Sequence, residues 1–182
     1  RYAVATLLGR GFTEVALIDL EDLSAPPAVL RPRQVDVEYH VEHAPGYGVD
    51  DPGADVVALR QEAVDVARAA DSVVVFLGLP PSYESEGYDR DHLDLPEDQV
   101  ALLLAVADVA DDVVVVLANG SVVAVDGWLH RTGAVLEAWL GGQAGGGAVA
   151  DVLLGVVNPS GRLAETMPIR LADTPAHLNF PG

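Results

Sequence analysis

"SVVVFLGL", residues 72–79, is an almost unbroken apolar run after its opening serine. A strand with one wet face alternates apolar and polar residues; a strand covered on both faces reads as a continuous β-branched stretch. The run therefore predicts a buried strand of a parallel sheet. Upstream, "DVVALRQEAVDVARAA" (55–70) sets Val56, Leu59, Ala63, Val66 and Ala67 at helical spacing, with Asp55 as N-cap. Downstream, "DLPEDQVALLLAVADVA" (94–110) opens a second helix. Asp94 and Glu97 have capping-box spacing there, and Pro96 falls in the first turn, where a missing N–H costs nothing. "DDVVVVLANG" (111–120) is a second buried strand. "AVLEAWL" (134–140) reads as a strand, "GGGAVADVLLG" (145–155) as a helix closed by Gly155, and "RLAETMP" (162–168) as a final strand.

The first 54 residues are less regular. "EVALIDL" (14–20) and "VDVEYHV" (35–41) predict strands, the second from the alternation of Val35, Val37, Tyr39 and Val41. Helices alternating with buried strands imply βα units. Right-handed crossovers then give an α/β three-layer sandwich, a mainly parallel sheet with helices on both faces, broadly flavodoxin-like. In such sheets the loops leaving the carboxyl ends of strands build the site. Two loops qualify: residues 80–94, and "NGSVVAVDGW" (119–128).

Composition narrows the function. The 182 residues include 28 acidic and 10 basic side chains, for a net charge of -18. Nucleic acid and anionic membrane surfaces are excluded as partners, because both require clustered Lys and Arg. There is no cysteine, so disulfides and thiolate zinc sites are excluded. The five histidines show no metal-ligand spacing, and neither a metal nor a cofactor is expected. No apolar run approaches the length of a membrane span. No signal peptide is visible, and the compartment is not readable. The chain begins with Arg1 and is read as a mature product or a piece of something longer.

The acidic loop is "PPSYESEGYDRDHLDLPEDQ" (80–99), in which Tyr83 and Tyr88 stand among Glu84, Glu86, Asp89 and Asp91. A run of charge is ordinarily a solvated face. Paired carboxylates with aromatics beside them also suit glycoside chemistry, in which one carboxyl protonates the leaving oxygen and the other attacks or activates water. Two other stretches invite chemistry and do not hold it. "GGQAGGGA" (141–148) lacks the Lys-Ser/Thr of a phosphate-binding loop and reads as a tight strand-to-helix turn. Ser160, Asp173 and His177 lack the Gly-x-Ser-x-Gly elbow of a hydrolase triad.

"ESEGYDRDHLDLPEDQ", "VVVVLANGSVV", "AVLEAWLGGQAGGGAVADVLLG", "NPSGRLAETMP" and "DTPAHLNFPG" occur in this order. Together they resemble the C-terminal α/β-sandwich domain of family 3 glycoside hydrolases, the β-glucosidases in particular. The resemblance covers residues 55–182; residues 1–54 are read as a poorly matched N-terminal part of the same domain.

The resemblance implies a site shared between two domains. A (β/α)8 barrel carries the nucleophilic Asp and most sugar contacts, and the sandwich lends a loop bearing the general acid/base. Carried over, that loop is residues 80–92. Glu84 is the acid/base, with Glu86 as runner-up. Tyr83 and Tyr88 would either face the leaving-group sugar or pack on the loop, while Asp89 and Arg90 would pair to shape the loop. The reaction implied is a retaining double displacement, with the two carboxyl groups roughly 5–5.5 Å apart. Closure against an apolar barrel wall, with the nucleophile's charge nearby, would keep the acid protonated near neutrality.

A (β/α)8 barrel needs about 250 residues, and none is present in this chain. The chain is accordingly expected to be inactive alone. Its partners would be a β-glucoside or oligosaccharide and the missing barrel. The alternative is a non-catalytic carbohydrate-binding or partner-docking module.

Overall fold

Strand β5 (Ser72–Gly78) is buried at every position, which requires cover on both faces. It is the middle strand of a five-stranded parallel sheet. The computed structural model describes residues 40–179 together with three short strands, β1 (Tyr2–Ala5), β2 (Leu7–Gly9) and β3 (Phe12–Glu14). The order across the sheet is β4 (Val41–Ala44), β1, β5, β6 (Val113–Ala118), β7 (Ala134–Glu137). The β5–β6 register runs from Val73 opposite Val113 to Gly78 opposite Ala118. Strands β2 and β3 pair antiparallel, and β2 touches β5 and β6.

Helices α1 (Val56–Arg68) and α2 (Glu97–Ala107) make the crossovers β4–α1–β5 and β5–α2–β6. Both step the same way across the sheet, so right-handed crossovers place them on one face, where they touch each other. Leu102, Leu103 and Val106 of α2 are buried in one core cluster with Val74, Val75 and Leu77 of β5. Helix α3 (Gly145–Leu153) follows β7. A groove of about 910 Å³ separates it from Val116 and Ala118 of β6 and Leu136 of β7. The architecture is the α/β sandwich expected from the alternation of buried runs and helical patterns.

Asp55 caps α1 as expected, its carboxylate accepting from the Ala58 N–H at 3.0 Å. The strand expected at 134–140 is present only over Ala134–Glu137, and the helix expected at 145–155 spans Gly145–Leu153, followed by Gly155 at φ 69°.

Two expectations are corrected and two fall largely outside the described residues. Helix α2 starts later than the capping-box spacing implied: extended Pro96 is its N-cap and Asp94 makes no cap bond. The Pro96 carbonyl instead takes the Gln99 and Val100 amides. Residues 162–168 form no strand. A strand needs a partner edge, and this segment, set between Pro159 and Pro168, leaves Leu163 58% exposed. Of "VDVEYHV", Val41 begins β4 and residues 35–39 lie outside the described residues; of "EVALIDL", Glu14 ends β3 and residues 15–20 lie outside them.

One buried polar side chain ties the sheet to α2. Gln99 is 1% exposed. Its Oε1 accepts from the Gly78 N–H and its Nε2 donates to the Gly78 carbonyl, both at 2.9 Å. The carboxyl end of β5 and the first turn of α2 are thereby fixed to one another, and the acidic loop is strung between them.

Candidate active site

The acidic loop leaves β5 through a tight turn. The amides of Tyr83 and Glu84 both donate to the Pro80 carbonyl, at 2.8 and 3.0 Å. Ser82 is held by Asp50, whose carboxylate accepts from both its amide and its hydroxyl. The turn carries the Glu84 side chain toward the loop leaving β6. There Glu84 Oε2 accepts from the Gly120 N–H at 2.7 Å, and Oε1 accepts from the Ser121 hydroxyl at 2.6 Å. Arg90 returns to the same place, donating from Nη2 to Ser121 Oγ at 2.9 Å and to the Val122 carbonyl at 2.7 Å. Burial lowers the Arg90 guanidinium below its usual value, and the Glu84 and Asp94 carboxylates oppose that shift.

The network continues to β7. Asn119 is fully buried and donates from Nδ2 to the Ser121 carbonyl at 2.9 Å and to Glu137 Oε2 at 3.4 Å. Glu137 Oε1 accepts from the Trp139 N–H at 3.0 Å. Trp139 sits at φ 50°, a region that costs a non-glycine residue strain. The carboxyl ends of β5, β6 and β7 are therefore joined by one polar chain from Glu84 to Trp139.

Burial raises the Glu137 carboxyl above its ordinary value near 4.5, against the opposing bonds from Trp139 and Asn119. A carboxyl raised in the native state binds its proton more tightly there than in the unfolded chain. Its stabilising effect is present at low pH and lost as pH rises through the native value. Glu137→Gln is expected to remove that loss. In urea titrations from about pH 4 to 7, the variant's midpoint should gain on the parent's as pH rises. A difference that does not change with pH would contradict it.

The sequence-predicted residues divide clearly. Tyr83 is half-buried, with its ring edge-on to His92 at 5.4 Å between centroids. Tyr88 is 48% exposed, and its hydroxyl donates to the Pro81 carbonyl at 2.6 Å. Arg90 bonds to Ser121 and Val122 and not to the expected Asp89. Asp89 is exposed. Glu86 is exposed, and among the described residues its carboxylate has no hydrogen-bond or ion-pair partner. The sequence alone does not single out Gly120, Ser121, Asn119 or Glu137. The only sequence signal for the first three was that their loop leaves the carboxyl end of a buried strand.

The glycine stretch after β7 behaves as a turn. A Cβ on Gly141 would come 2.8 Å from the Gly145 Cα, and Gly142 lies at φ 63°. No group of three or more His, Asp or Glu among the described residues is arranged to hold a metal.

A parallel α/β sandwich with an acidic, aromatic loop at its carboxyl edge defines a domain that can present carboxylates to a ligand. Comparison with known proteins gives its family. Residues 10–181 match the glycosyl hydrolase family 3 C-terminal domain, and the chain belongs to that family. Thermostable beta-glucosidase B of Acetivibrio thermocellus is 53% identical over 140 residues, covering 77% of this chain and 18% of that protein. An exo-alpha-(1->6)-L-arabinopyranosidase of Bifidobacterium longum is 52% identical over 141 residues, covering 78% and 18%. The crystal structure of the GH3 beta-glucosidase of Bifidobacterium adolescentis aligns with a TM-score of 0.72 at 52% identity, covering 76% of this chain and 20% of that one. The chain thus spans about a fifth of the length of these relatives.

Proposed function

We propose that this chain supplies the general acid/base to a β-glucosidase-like, retaining active site shared with a (β/α)8 barrel, and that Glu86 is the group. Glu84, ranked first on sequence, is the less suitable of the two. The observation that carries the choice is the difference in their surroundings. Both Glu84 oxygens are occupied by donors of its own domain, at 2.7 and 2.6 Å. Glu86 stands exposed two residues further on with its carboxylate free of partners among the described residues. A proton shuttle must reach the leaving oxygen and then a water, so it must be able to face outward from the domain that carries it.

The nucleophile belongs to the barrel, and Glu86 protonates the departing oxygen before taking a proton from water. Tyr88 is the aromatic placed to meet the leaving group. Tyr83 packs beneath the loop and supports it. The substrate class is a β-glucoside or short oligosaccharide, by analogy with the named relatives.

Two measurements test the reading. The 182-residue chain alone is expected to give no hydrolysis of an aryl β-glucoside. Turnover by the chain that is lost in Glu86→Ala would place a complete site within it and overturn the shared-site reading. Once the chain is joined to a family 3 barrel, Glu86→Ala should slow substrates with poor leaving groups selectively. The same selectivity in Glu84→Ala, and not in Glu86→Ala, would reverse the assignment.

A further inference from the structure

We infer that Glu84 is a positioning residue: its carboxylate, clamped between the Gly120 amide and the Ser121 hydroxyl, fixes the loop that presents Glu86. The inference rests on Glu86 as acid/base, and adds a device by which the β6–β7 loop controls where that group stands.

Four features make this a built contact. Each Glu84 oxygen has its own donor, one from backbone and one from a side chain. Ser121 Oγ donates to Glu84 and accepts from Arg90, so the hydroxyl is oriented from both sides. Arg90 lies six residues after Glu84, and its second bond to the Val122 carbonyl closes the loop on its far side. Glu86 is thus carried on a short arc pinned at both ends to residues 120–122.

The fourth feature is Gly120. A Cβ built there would lie 3.0 Å from Glu84 Oε2 and 3.1 Å from its carboxyl carbon. Gly120 does not occupy the left-handed region, so an alanine there meets no backbone strain. The added methyl would require the Glu84 carboxylate to give by a few tenths of an ångström. Gly120→Ala therefore reads the clamp from the opposite side to a change at Glu84.

The first test is amide hydrogen exchange on the 182-residue chain. Glu84→Ala should speed exchange across residues 83–90 by about tenfold or more, as expected for losing a charge-assisted pair of bonds, and Gly120→Ala should speed it by less. The double variant should be no faster than Glu84→Ala alone, because both changes act on the same contact. Glu84→Gln should restore most of the protection, since its amide can accept from Gly120 and donate to Ser121. Unchanged exchange in Glu84→Ala, or effects that multiply in the double variant, would overturn the clamp.

The second test is kinetic, with the full chain joined to a family 3 barrel. If Glu84 acts through Glu86, adding Glu84→Ala to a Glu86→Ala background should cost nothing further. The same fold-loss in both backgrounds would mean a purely structural role and would overturn the inference. Exchange decides the clamp whatever Glu86 does, so failure of the acid/base assignment and failure of the clamp are separable.

Discussion

Glu86→Ala, in an enzyme joining this chain to a family 3 barrel, is expected to lower turnover of glucosides with poor leaving groups by about 10²–10⁴-fold. Activated aryl glucosides should lose far less. The difference follows from what the acid does. A poor leaving group departs as an alkoxide unless a proton reaches its oxygen in the transition state, whereas a nitrophenolate leaves without help. With good leaving groups the glycosyl-enzyme still forms, but water now attacks it without a base. Azide needs no base and should restore turnover, giving the glycosyl azide with retained configuration. Glu84→Ala should show the leaving-group trend only weakly, because Glu86 is then present but less well placed. Full azide rescue in Glu84→Ala, with none in Glu86→Ala, would exchange the two roles.

The strands and helices were legible where one physical rule dominated. Continuous β-branched runs became β5 and β6, and the 3.6-residue apolar pattern with Asp55 before it became α1. The failures share a cause. "RLAETMP" has strand composition, but composition does not supply a neighbouring edge. Asp94 has the spacing of a capping box, yet the extended Pro96 moves the helix start beyond its reach. In both places backbone geometry that residue types alone do not specify decided the outcome.

The meeting of the two loops was legible in the sequence, and its detail was not, for a related reason. The topology of a parallel sheet says that the loops after β5 and β6 meet, and they do. Which of two glutamates two residues apart turns inward depends on the Pro80 turn and on bare space above Gly120. Neither signal is visible in a charge run. Asn119 and Glu137 were hidden for another reason: each sits at the end of an apolar strand, where one polar residue reads as the beginning of a loop. The structure instead places them half or wholly inside, bonded to one another across β6 and β7.

Gly78→Ala is expected to be the most damaging single change to the domain, costing at least about 3 kcal/mol. Gly78 ends β5 opposite Ala118, where a Cβ would fall well inside contact distance of the Ala118 carbonyl oxygen. That oxygen is fixed backbone, and it accepts from the Leu79 N–H at 3.2 Å, so it cannot move aside without breaking the sheet. The added methyl would also push Gly78 off the Gln99 amide, which satisfies both of its backbone groups. Gln99→Leu isolates that second effect. It leaves the fold's shape intact but strands a buried N–H and a buried carbonyl, at about 1–3 kcal/mol each before relaxation. A fall in melting temperature of roughly 5–15 °C is expected for Gln99→Leu in a chain of this size, and a larger one for Gly78→Ala. Should Gly78→Ala not fold, Gln99→Leu still decides the matter; a melting temperature within about 2 °C of the parent would show that the pairing is dispensable. The two sites also bear on catalysis. They anchor the start of the acidic loop and the helix at its end, so loosening them should disorder residues 80–96 before the rest of the sheet, and in the joined enzyme kcat should fall at temperatures where the domain is still folded.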